Sequence, residues 1–246
     1  MLAVENLELV KEKRTILQIE NFEFKQGKTK AFIGTNGAGK STFLKVLALL
    51  EQPTHGKILF AGREVTKKNI LSFRRRMAVV FQEPLLLNTT VFNNVALGLK
   101  LRGIRGDMLT KRVEHWLERL KISDLRDRKP VYLSGGEAQR VSLARAFALE
   151  PEVVFLDEPF SALDFPTKIN LLEDLGHLLG NSGVTAMFVT HDFNEIPYLT
   201  NDVVVIDRGK LVFDGLLKKL LEDEVQNDNV QHLLSPFKKF NQMRLF

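Results

Sequence analysis

One short segment limits what this chain can fold into more than any other. Gly34–Ser41 reads Gly-Thr-Asn-Gly-Ala-Gly-Lys-Ser, which fits the pattern G-x-x-x-x-G-K-[ST] of a phosphate-binding loop. The apolar run Lys30–Ile33 precedes this loop, and apolar residues recur at helical spacing over Lys40–Leu50. A strand, a glycine-rich loop and a helix therefore follow one another. This order predicts an α/β protein that binds a nucleotide.

The residue types in this loop are those that a triphosphate requires. Glycine backbone N–H groups can converge on phosphate oxygens, and the positive end of the following helix adds to the attraction. Lys40 supplies a compact positive charge for the β- and γ-phosphates, and the Ser41 hydroxyl can ligate Mg²⁺. The predicted nucleotide-binding residues of this loop are Gly34, Thr35, Asn36, Gly37, Ala38, Gly39, Lys40, Ser41 and Thr42.

Acidic and imidazole side chains follow two further apolar strands. Val153–Leu156 reads as a strand buried on both faces, and Asp157 and Glu158 come directly after it. Ligands bind at this edge of open α/β sheets. We therefore expect Asp157 to hold Mg²⁺ through its water shell and Glu158 to orient or deprotonate the attacking water. His191 follows the next apolar strand and is expected to contact the γ-phosphate. The predicted catalytic residues are Glu158, His191 and Lys40.

A second set of anion-binding groups lies further along the chain. Ser134, Gly135, Gly136 and Glu137 open a helix predicted over 138–149, so bare backbone donors again meet the positive end of a helix. The first loop already serves one triphosphate. We call the segment Ser134–Glu137 the second cradle. It requires either a second ligand or a second copy of the chain, and a second copy would close two ATP molecules between two subunits.

The remaining pattern predicts how these segments are organised. The segment 84–150 shows helical periodicity and is predicted to be a helical subdomain inserted between strands. The runs 153–156 and 184–189 are apolar without alternation, which favours a mostly parallel sheet flanked by helices. We place one domain at 1–225 and a polar C-terminal tail at 226–246.

Composition excludes several classes of protein. The chain has no cysteine, so disulfides and thiolate metal sites are excluded. The N-terminus lacks the pattern of a signal peptide and no run is apolar for long enough to span a bilayer, so we expect a cytoplasmic location. The net charge of +5 is scattered, and its densest run, Arg74–Arg76, indicates a solvated segment ahead of a strand. Nucleic acid is therefore not an expected partner.

Taken together, these motifs resemble those of the ATP-binding-cassette family, specifically the nucleotide-binding subunit of an ABC transporter. The resemblance covers about residues 2–225, and the motifs stand in the family's order. They resemble the Walker A loop (Gly34–Thr42), the Q-loop (Gln82), the signature (Leu133–Glu137), the Walker B strand (Val153–Glu158), the D-loop (Ser161–Asp164) and the switch histidine (His191).

The resemblance implies a P-loop NTPase fold, with a RecA-like core, an N-terminal antiparallel β-subdomain and an inserted helical subdomain. It implies ATP and Mg²⁺ as cofactors, with Gln82 joining Ser41 and Asp157 at the metal. Two copies would form a head-to-tail dimer, with ATP between the Walker A loop of one copy and Ser134–Glu137 of the other. The expected partners are integral membrane permease subunits and an extracytoplasmic solute-binding protein, which places the chain peripherally on the inner face of the cell membrane.

Finer details of the sequence are similar to importers. Asp157–Asp164 resembles importer subunits, since exporters more often carry Ala-Thr after the two acids. The segments 90–96 and 99–103 resemble importers of inorganic oxyanions, with tungstate or molybdate nearest. The family usually stacks adenine on an aromatic residue near the position of Val10, and this chain has none there, so the selectivity for the base is expected to be loose.

Two other classes of function remain open. A soluble ABC-type ATPase that acts on DNA or the ribosome would suit the basic charge. Such relatives carry long coiled coils after the Q-loop or two cassettes in one chain, whereas this sequence shows one cassette and a compact segment between Gln82 and Leu133. A non-catalytic nucleotide sensor would not need Glu158, Gln82 and His191 together. The sequence therefore favours an ATPase that powers a membrane importer.

Overall fold

The computed structural model describes residues 1–222 together with 230, 231, 234 and 235, so most of the tail predicted at 226–246 lies outside the described residues. The strands in this part are β1 (Leu2–Lys11), β2 (Arg14–Phe24), β3 (Thr29–Ile33), β4 (His55–Phe60), β5 (Arg63–Glu64), β6 (Met77–Val80), β7 (Val153–Asp157), β8 (Thr185–Val189), β9 (Asp202–Asp207) and β10 (Lys210–Leu216). The α-helices are α1 (Lys40–Leu47), α2 (Ile70–Arg74), α3 (Val91–Leu101), α4 (Gly106–Arg119), α5 (Gly135–Phe147), α6 (Phe165–Ser182), α7 (Ile196–Leu199) and α8 (Leu217–Leu221).

Within residues 1–222 the strands form two sheets. The first is antiparallel, with the order β2-β1-β4-β5. The second has the order β10-β9-β3-β8-β7-β6, in which β9, β3, β8, β7 and β6 run parallel and β10 pairs antiparallel with β9. The carboxyl ends of the parallel strands therefore meet at one edge, which is where ligands bind in sheets of this kind.

The parallel sheet lies between two apolar cores. All residues of β7 and β8 are buried, which is typical of strands covered on both faces. Because successive side chains of a strand point to opposite faces, Val153 and Phe155 pack with α1 and the antiparallel sheet, whereas Val154 and Leu156 pack with α3, α5 and α6. Apolar burial on both faces fixes the register of β7, and with it the position of the carboxylates that follow.

Three helices lie between β6 and β7, in the segment predicted to be helical. Val95 of α3, Leu117 of α4 and Phe147 of α5 are buried in one core, and the Trp116 ring stacks on Phe147 with 5.4 Å between centroids. The helix α5 begins at Gly135, earlier than predicted, because the side chain of Ser134 caps its first turn. The predicted cradle at Ser134–Glu137 therefore lies at the N-terminal end of α5, where Ser134 and Gly135 are exposed.

The sequence patterns above do not predict α6, although local signals for it exist. Asp164 caps the helix, since its Oδ1 accepts a hydrogen bond from the Thr167 backbone N–H at 3.1 Å, and Pro166 lies in the first turn. Leucines at helical spacing form its buried face: Leu171, Leu172, Leu175, Leu178 and Leu179. Beyond residue 222, the buried side chains of Val230 and Leu234 belong to the same core.

The segment Arg74–Arg76 precedes β6 and its first two members are exposed, as expected, but Arg74 and Arg76 also make contacts that the sequence does not predict. The Arg74 guanidinium donates to the Leu49 carbonyl oxygen at 2.5 Å. The Arg76 guanidinium donates to Glu152 at 2.7 Å and lies over the Phe60 ring, 4.4 Å from its centroid. These partners are distant in sequence, so local charge density does not reveal them.

The turn between β9 and β10 supports the phosphate loop. Gly209 in this turn donates its N–H to the Ala38 carbonyl oxygen and accepts a hydrogen bond from the Gln18 N–H, both at 2.8 Å. Its φ is +77°, and an added Cβ would lie 2.2 Å from the Ile16 carbonyl oxygen. Glycine is required here for two reasons: the backbone is left-handed, and the turn approaches the backbone of β2 closely.

We expect Gly209→Ala to lower the melting temperature by clearly more than its left-handed backbone angle alone would. The matched control is Gly62→Ala, because Gly62 has a similar φ of +74° but open space around its Cβ position. The left-handed conformation alone costs about 1–2 kcal/mol, which shifts Tm by about 2–8 °C in a chain of this size. Thermal unfolding of both variants measures the difference, and equal shifts would contradict the close-approach argument.

Candidate functional site

The phosphate loop connects β3 to α1, and its residues Thr35–Gly37 are exposed. Gly37 and Gly39 have φ of +79° and +104°, and Gly39 is the N-cap of α1. The Lys40 side chain folds back over the loop, so that its Nζ donates to the carbonyl oxygens of Gly34 at 2.9 Å and Thr35 at 3.1 Å. Burial lowers the pKa of the Lys40 ammonium, while the Glu158 and Asp157 carboxylates oppose that shift.

The carboxylate that ends β7 contacts the first turn of α1. The Ser41 hydroxyl donates to Asp157 Oδ1 at 2.7 Å, and Asp157 is almost fully buried. Burial raises the pKa of the Asp157 carboxyl, and the hydrogen bond from Ser41 and the nearby lysines Lys45 and Lys40 counteract it. Mg²⁺ usually takes one or two protein oxygens and completes its shell with water and substrate phosphates. The hard oxygen donors of Ser41 and Asp157 therefore fit Mg²⁺ beside a triphosphate.

Glu158 and His191 meet across two neighbouring parallel strands. The Glu158 backbone N–H donates to the Val189 carbonyl oxygen at 3.0 Å, which ties the end of β7 to the end of β8. Glu158 has a φ of +47°, and its Oε2 lies 2.9 Å from His191 Nδ1. The imidazole of His191 remains more than half exposed. A largely buried carboxylate and an exposed imidazole are therefore in contact at the edge of the sheet where the phosphate loop lies.

Gln82 lies in the loop that leaves β6, and its side chain is exposed. This loop is attached to the helices that follow it. Arg145 of α5 donates to the carbonyl oxygens of Pro84 and Leu85 at 2.8 and 2.9 Å. The buried Asn94 of α3 donates to the Leu87 carbonyl oxygen at 3.0 Å and accepts from the Leu87 N–H at 2.8 Å. The sequence analysis did not single out Arg145 or Asn94, because both partners are backbone atoms of a loop.

The second predicted cradle is a capping box at the start of α5. The Ser134 hydroxyl accepts from the Glu137 N–H at 3.3 Å, and the Glu137 carboxylate accepts from the Ser134 N–H at 2.7 Å. The backbone hydrogen bond from Ser134 lowers the pKa of the Glu137 carboxyl. Ser134 and Gly135 are exposed, whereas Gly136 is packed against α6. Among the described residues, no hydrogen bond links this cradle to the phosphate loop.

Apart from Gln82, which lies exposed in the loop after β6, the predicted site residues fall into two groups. Lys40, Ser41, Asp157, Glu158 and His191 form one cluster at the edge of the parallel sheet. The signature residues Ser134–Glu137 form the other, and each group presents the N-terminal end of a helix. The arrangement is that of a P-loop NTPase with one phosphate loop and, apart from it, a capping box at the start of α5 among the described residues.

Comparison with known proteins identifies the family. Residues 17–161 match the family described as ABC transporter. A probable sulfate/thiosulfate import ATP-binding protein CysA of Chlorella vulgaris is 39% identical over 215 residues, which are 87% of this chain and 90% of that protein. A methionine import ATP-binding protein MetN 2 of Shouchella clausii is 35% identical over 243 residues, 92% of this chain and 71% of the relative. This chain belongs to the ABC transporter family as an ATP-binding subunit, and it is an ATPase.

Solved structures of the same family confirm the predicted fold. CbiO1 of Clostridium perfringens, part of the ABC transporter complex cbiONQ, has a TM-score of 0.83 and 28% identity over 98% of both chains. The ATP-binding cassette MJ0796, solved as a dimer bound to ADP and Pi, has a TM-score of 0.79 and 28% identity over 88% of this chain and 99% of that chain. The P-loop core with an antiparallel sheet and a helical part is therefore shared. No helix within the described part of the chain is long and apolar enough to cross a membrane.

We expect Gly136→Ala to destabilise the protein, because an added Cβ would lie 2.4 Å from Thr167 Cγ2 of α6. The matched control is Gly135→Ala, where the nearest atom is 3.9 Å away. Thr167→Ser removes the obstructing methyl group and should restore most of the loss when combined with Gly136→Ala. Thermal unfolding of the three variants checks this expectation. A Gly136→Ala variant as stable as Gly135→Ala would show that α5 and α6 are not closely packed here.

Proposed function

We propose that the chain hydrolyses ATP to power a membrane importer, and that two copies close two ATP molecules between them. The observation that carries the proposal is the contact between Glu158 and His191, at 2.9 Å, beside the phosphate loop. A carboxylate at this edge supplies a base for water, and an imidazole within hydrogen-bond distance of it supplies an orienting group. A protein that only bound nucleotide would not need this pair.

Each residue of the cluster has a distinct task in the proposed hydrolysis. Lys40 and the N–H groups of the phosphate loop bind the β- and γ-phosphates. Glu158 accepts a proton from water as its oxygen attacks the γ-phosphorus, and the bond to the β–γ bridging oxygen breaks. Because an ionised carboxylate only accepts hydrogen bonds, His191 donates to Glu158 through Nδ1, and to donate to the γ-phosphoryl group as well it would act as the doubly protonated imidazolium, in which Nε2 also carries a hydrogen. Lys40 and His191 stabilise the charge that develops on the γ-phosphoryl group.

The side chains of Ser41, Asp157 and Gln82 are the proposed holders of Mg²⁺. The hydroxyl of Ser41 and the carboxylate of Asp157 are already in contact, and Gln82 follows the neighbouring strand β6. When bound, Mg²⁺ neutralises charge on the β- and γ-phosphate oxygens. The protein's contribution is to place these oxygens on one side of the phosphate loop.

The exposed cradle at Ser134–Glu137 supports the proposed dimer. Its serine hydroxyl and N-terminal N–H groups suit an anion, yet in one chain they make no hydrogen bond to the phosphate loop among the described residues. A second copy would place them on the γ-phosphate held by the first. The relative MJ0796 is dimeric with ADP and Pi, which supports this reading.

The loop after Gln82 is the proposed contact with the permease. Leu85 and Leu87 are 58% and 49% exposed, and both lie in the loop that Arg145 and Asn94 attach to the helices. Further exposed apolar side chains stand nearby in sequence on α3 and α4: Leu97, Leu101 and Met108. Exposed apolar side chains that form one patch mark protein interfaces. With this contact the chain would lie on the cytoplasmic face of the membrane, and a solute-binding protein would serve the opposite side.

The proposed solute is an inorganic oxyanion such as tungstate or molybdate, or another small solute. The sulfate/thiosulfate importer relative supports an oxyanion, whereas the methionine importer relative supports a small organic solute. Both relatives are import proteins, so the alternative of a DNA- or ribosome-acting ATPase gains no support from them. Purification of the solute-binding partner, followed by titration with each oxyanion and with methionine, tests this part of the proposal.

We expect Glu158→Gln to lower the ATPase kcat by about 10²–10⁴-fold while ATP-dependent dimerisation persists, because the amide keeps the shape but cannot accept the proton. The control is Glu173→Gln, an exposed glutamate on α6. Phosphate release measures turnover, and size-exclusion chromatography with ATP measures the dimer. Near-normal turnover in Glu158→Gln would remove Glu158 from the role of base.

We expect Leu87→Asp to reduce the fraction of the chain that sediments with membranes of the source cells, because a charge would be buried in the permease contact. The control is Leu71→Asp, whose leucine on α2 is 60% exposed. Unchanged thermal stability would show that both variants fold. Equal loss from the membrane fraction in both would place the permease contact elsewhere.

A further inference from the structure

A group of charged side chains lies directly behind His191 and has no task in the proposed hydrolysis. We call it the brace and define it as Lys168, Thr190, Asp192 and Glu195. Lys168 Nζ forms an ion pair with Asp192 Oδ2 at 2.6 Å and a second one with Glu195 Oε1. The Thr190 hydroxyl donates to the other oxygen, Glu195 Oε2, at 2.6 Å. One lysine therefore joins two carboxylates, and one of these also holds a hydroxyl.

The Glu195 end of the brace is buried, whereas the Asp192 side chain is 31% exposed. Glu195 is 3% exposed and Thr190 2%. Burial raises the pKa of the Glu195 carboxyl, while Lys168 and Thr190 oppose that shift. A buried carboxylate without its cation is strongly destabilising. The position of Lys168 is therefore tightly coupled to the positions of the two carboxylates.

The brace fixes the backbone on both sides of His191. The Thr190 N–H donates to the Phe32 carbonyl oxygen at 3.1 Å, and the Asp192 N–H donates to the Thr190 hydroxyl at 2.9 Å. His191 itself is 54% exposed, and its contact with Glu158 is made by a single ring nitrogen. An exposed ring has little packing to select its direction. The backbone of its two neighbours therefore determines where the imidazole points.

At its other end the brace reaches the segment that carries Glu158. The Lys168 N–H donates to the Asp164 carbonyl oxygen at 2.9 Å, one turn into α6, and Asp164 caps that helix. Residues 158–164 lead from this cap back to Glu158, whose carbonyl oxygen accepts from the Ser161 hydroxyl at 3.0 Å. Lys168 thus links the segment that presents Glu158 to the loop that presents His191.

We propose that Lys168 is a positioning residue for ATP hydrolysis, which sets the contact between His191 and Glu158 by holding Asp192 and Glu195 in place. The inference rests on the proposed roles of His191 and Glu158. Lys168 does not touch the nucleotide in this proposal. Its loss should therefore lower kcat and leave the KM for ATP nearly unchanged.

The first experiment measures steady-state ATPase kinetics of the purified full-length chain. We expect Lys168→Met to lower kcat by about 10-fold or more, since a displaced reacting group can cost up to about 10²-fold, with KM for ATP within about twofold. Lys168→Arg keeps the charge and should restore kcat to within about threefold. The control is Lys121→Met, which removes an ion pair to Asp174 of the same helix, at 2.7 Å, away from His191. This control should keep normal kcat.

The second experiment is a double-mutant cycle with His191→Ala. If Lys168 acts through His191, Lys168→Met should have no further effect on kcat in the His191→Ala background, whereas independent effects would multiply. Thr190→Val probes the same brace without leaving an unpaired charge, because it deletes only the hydroxyl between Glu195 and Asp192. It should show the same dependence on His191, and it replaces Lys168→Met if that variant does not fold.

The outcomes separate this inference from the proposal on which it rests. The positioning role of Lys168 is supported if Lys168→Met and Thr190→Val each lower kcat, and if neither lowers it further in the His191→Ala background. If both variants keep a normal kcat while His191→Ala has a low one, the positioning role of Lys168 is wrong and the proposed role of His191 stands. Multiplying effects in the cycle also overturn the positioning role of Lys168, because they indicate a merely structural role. Normal kcat in His191→Ala overturns both the brace and the proposed role of His191.

Discussion

The parallel order of β9, β3, β8, β7 and β6 is the constraint on which the site depends. Strands that run in one direction end at one edge, so the phosphate loop after β3, the carboxylates at the end of β7 and His191 after β8 are brought together although the sequence separates them widely. Apolar burial on both faces of β7 and β8 keeps this register. A slip of one residue would exchange Asp157 and Glu158 between the two faces.

The helix α5 connects the loop that follows Gln82 to the second cradle at Ser134–Glu137. Arg145 bonds the carbonyl oxygens of Pro84 and Leu85, and it lies on α5, the helix whose first turn is the Ser134 capping box. The helix α5 thus contacts the loop through Arg145 and carries the Ser134 capping box in its first turn. If a nucleotide binds at Ser134 as proposed, α5 gives it a direct connection to the loop, and a partner that binds the loop has the same connection in reverse. Reciprocal coupling of this kind is what a transport cycle requires.

The sequence predicts those parts of the molecule that local patterns encode. Glycine spacing predicts the phosphate loop, apolar runs without alternation predict β7 and β8, and helical periodicity predicts the segment between β6 and β7. The edge rule for parallel sheets then places Asp157, Glu158 and His191 together before any coordinates are known. The roles assigned to these residues remain predictions, since geometry alone shows proximity and not chemistry. The missed helix α6 also had local signals, a cap at Asp164 and regularly spaced leucines.

Other features depend on contacts between distant segments, and no local pattern carries them. Lys168 and Glu195 look like ordinary surface charges in the sequence, and only the packing of α6 against the loop after β8 brings them together. The same holds for Arg76, whose partners Phe60 and Glu152 come from different parts of the chain. The Lys168 side chain is 17% exposed and that of Glu195 is 4% exposed, whereas the side chains of Arg76 and Glu152 are 37% and 41% exposed, so only the Lys168–Glu195 pair is buried. A buried ion pair must have excellent geometry to offset its desolvation, so such a pair restricts backbone position more sharply than an apolar contact of the same size. Residues that look interchangeable in the sequence can therefore set the geometry of a site that they never touch.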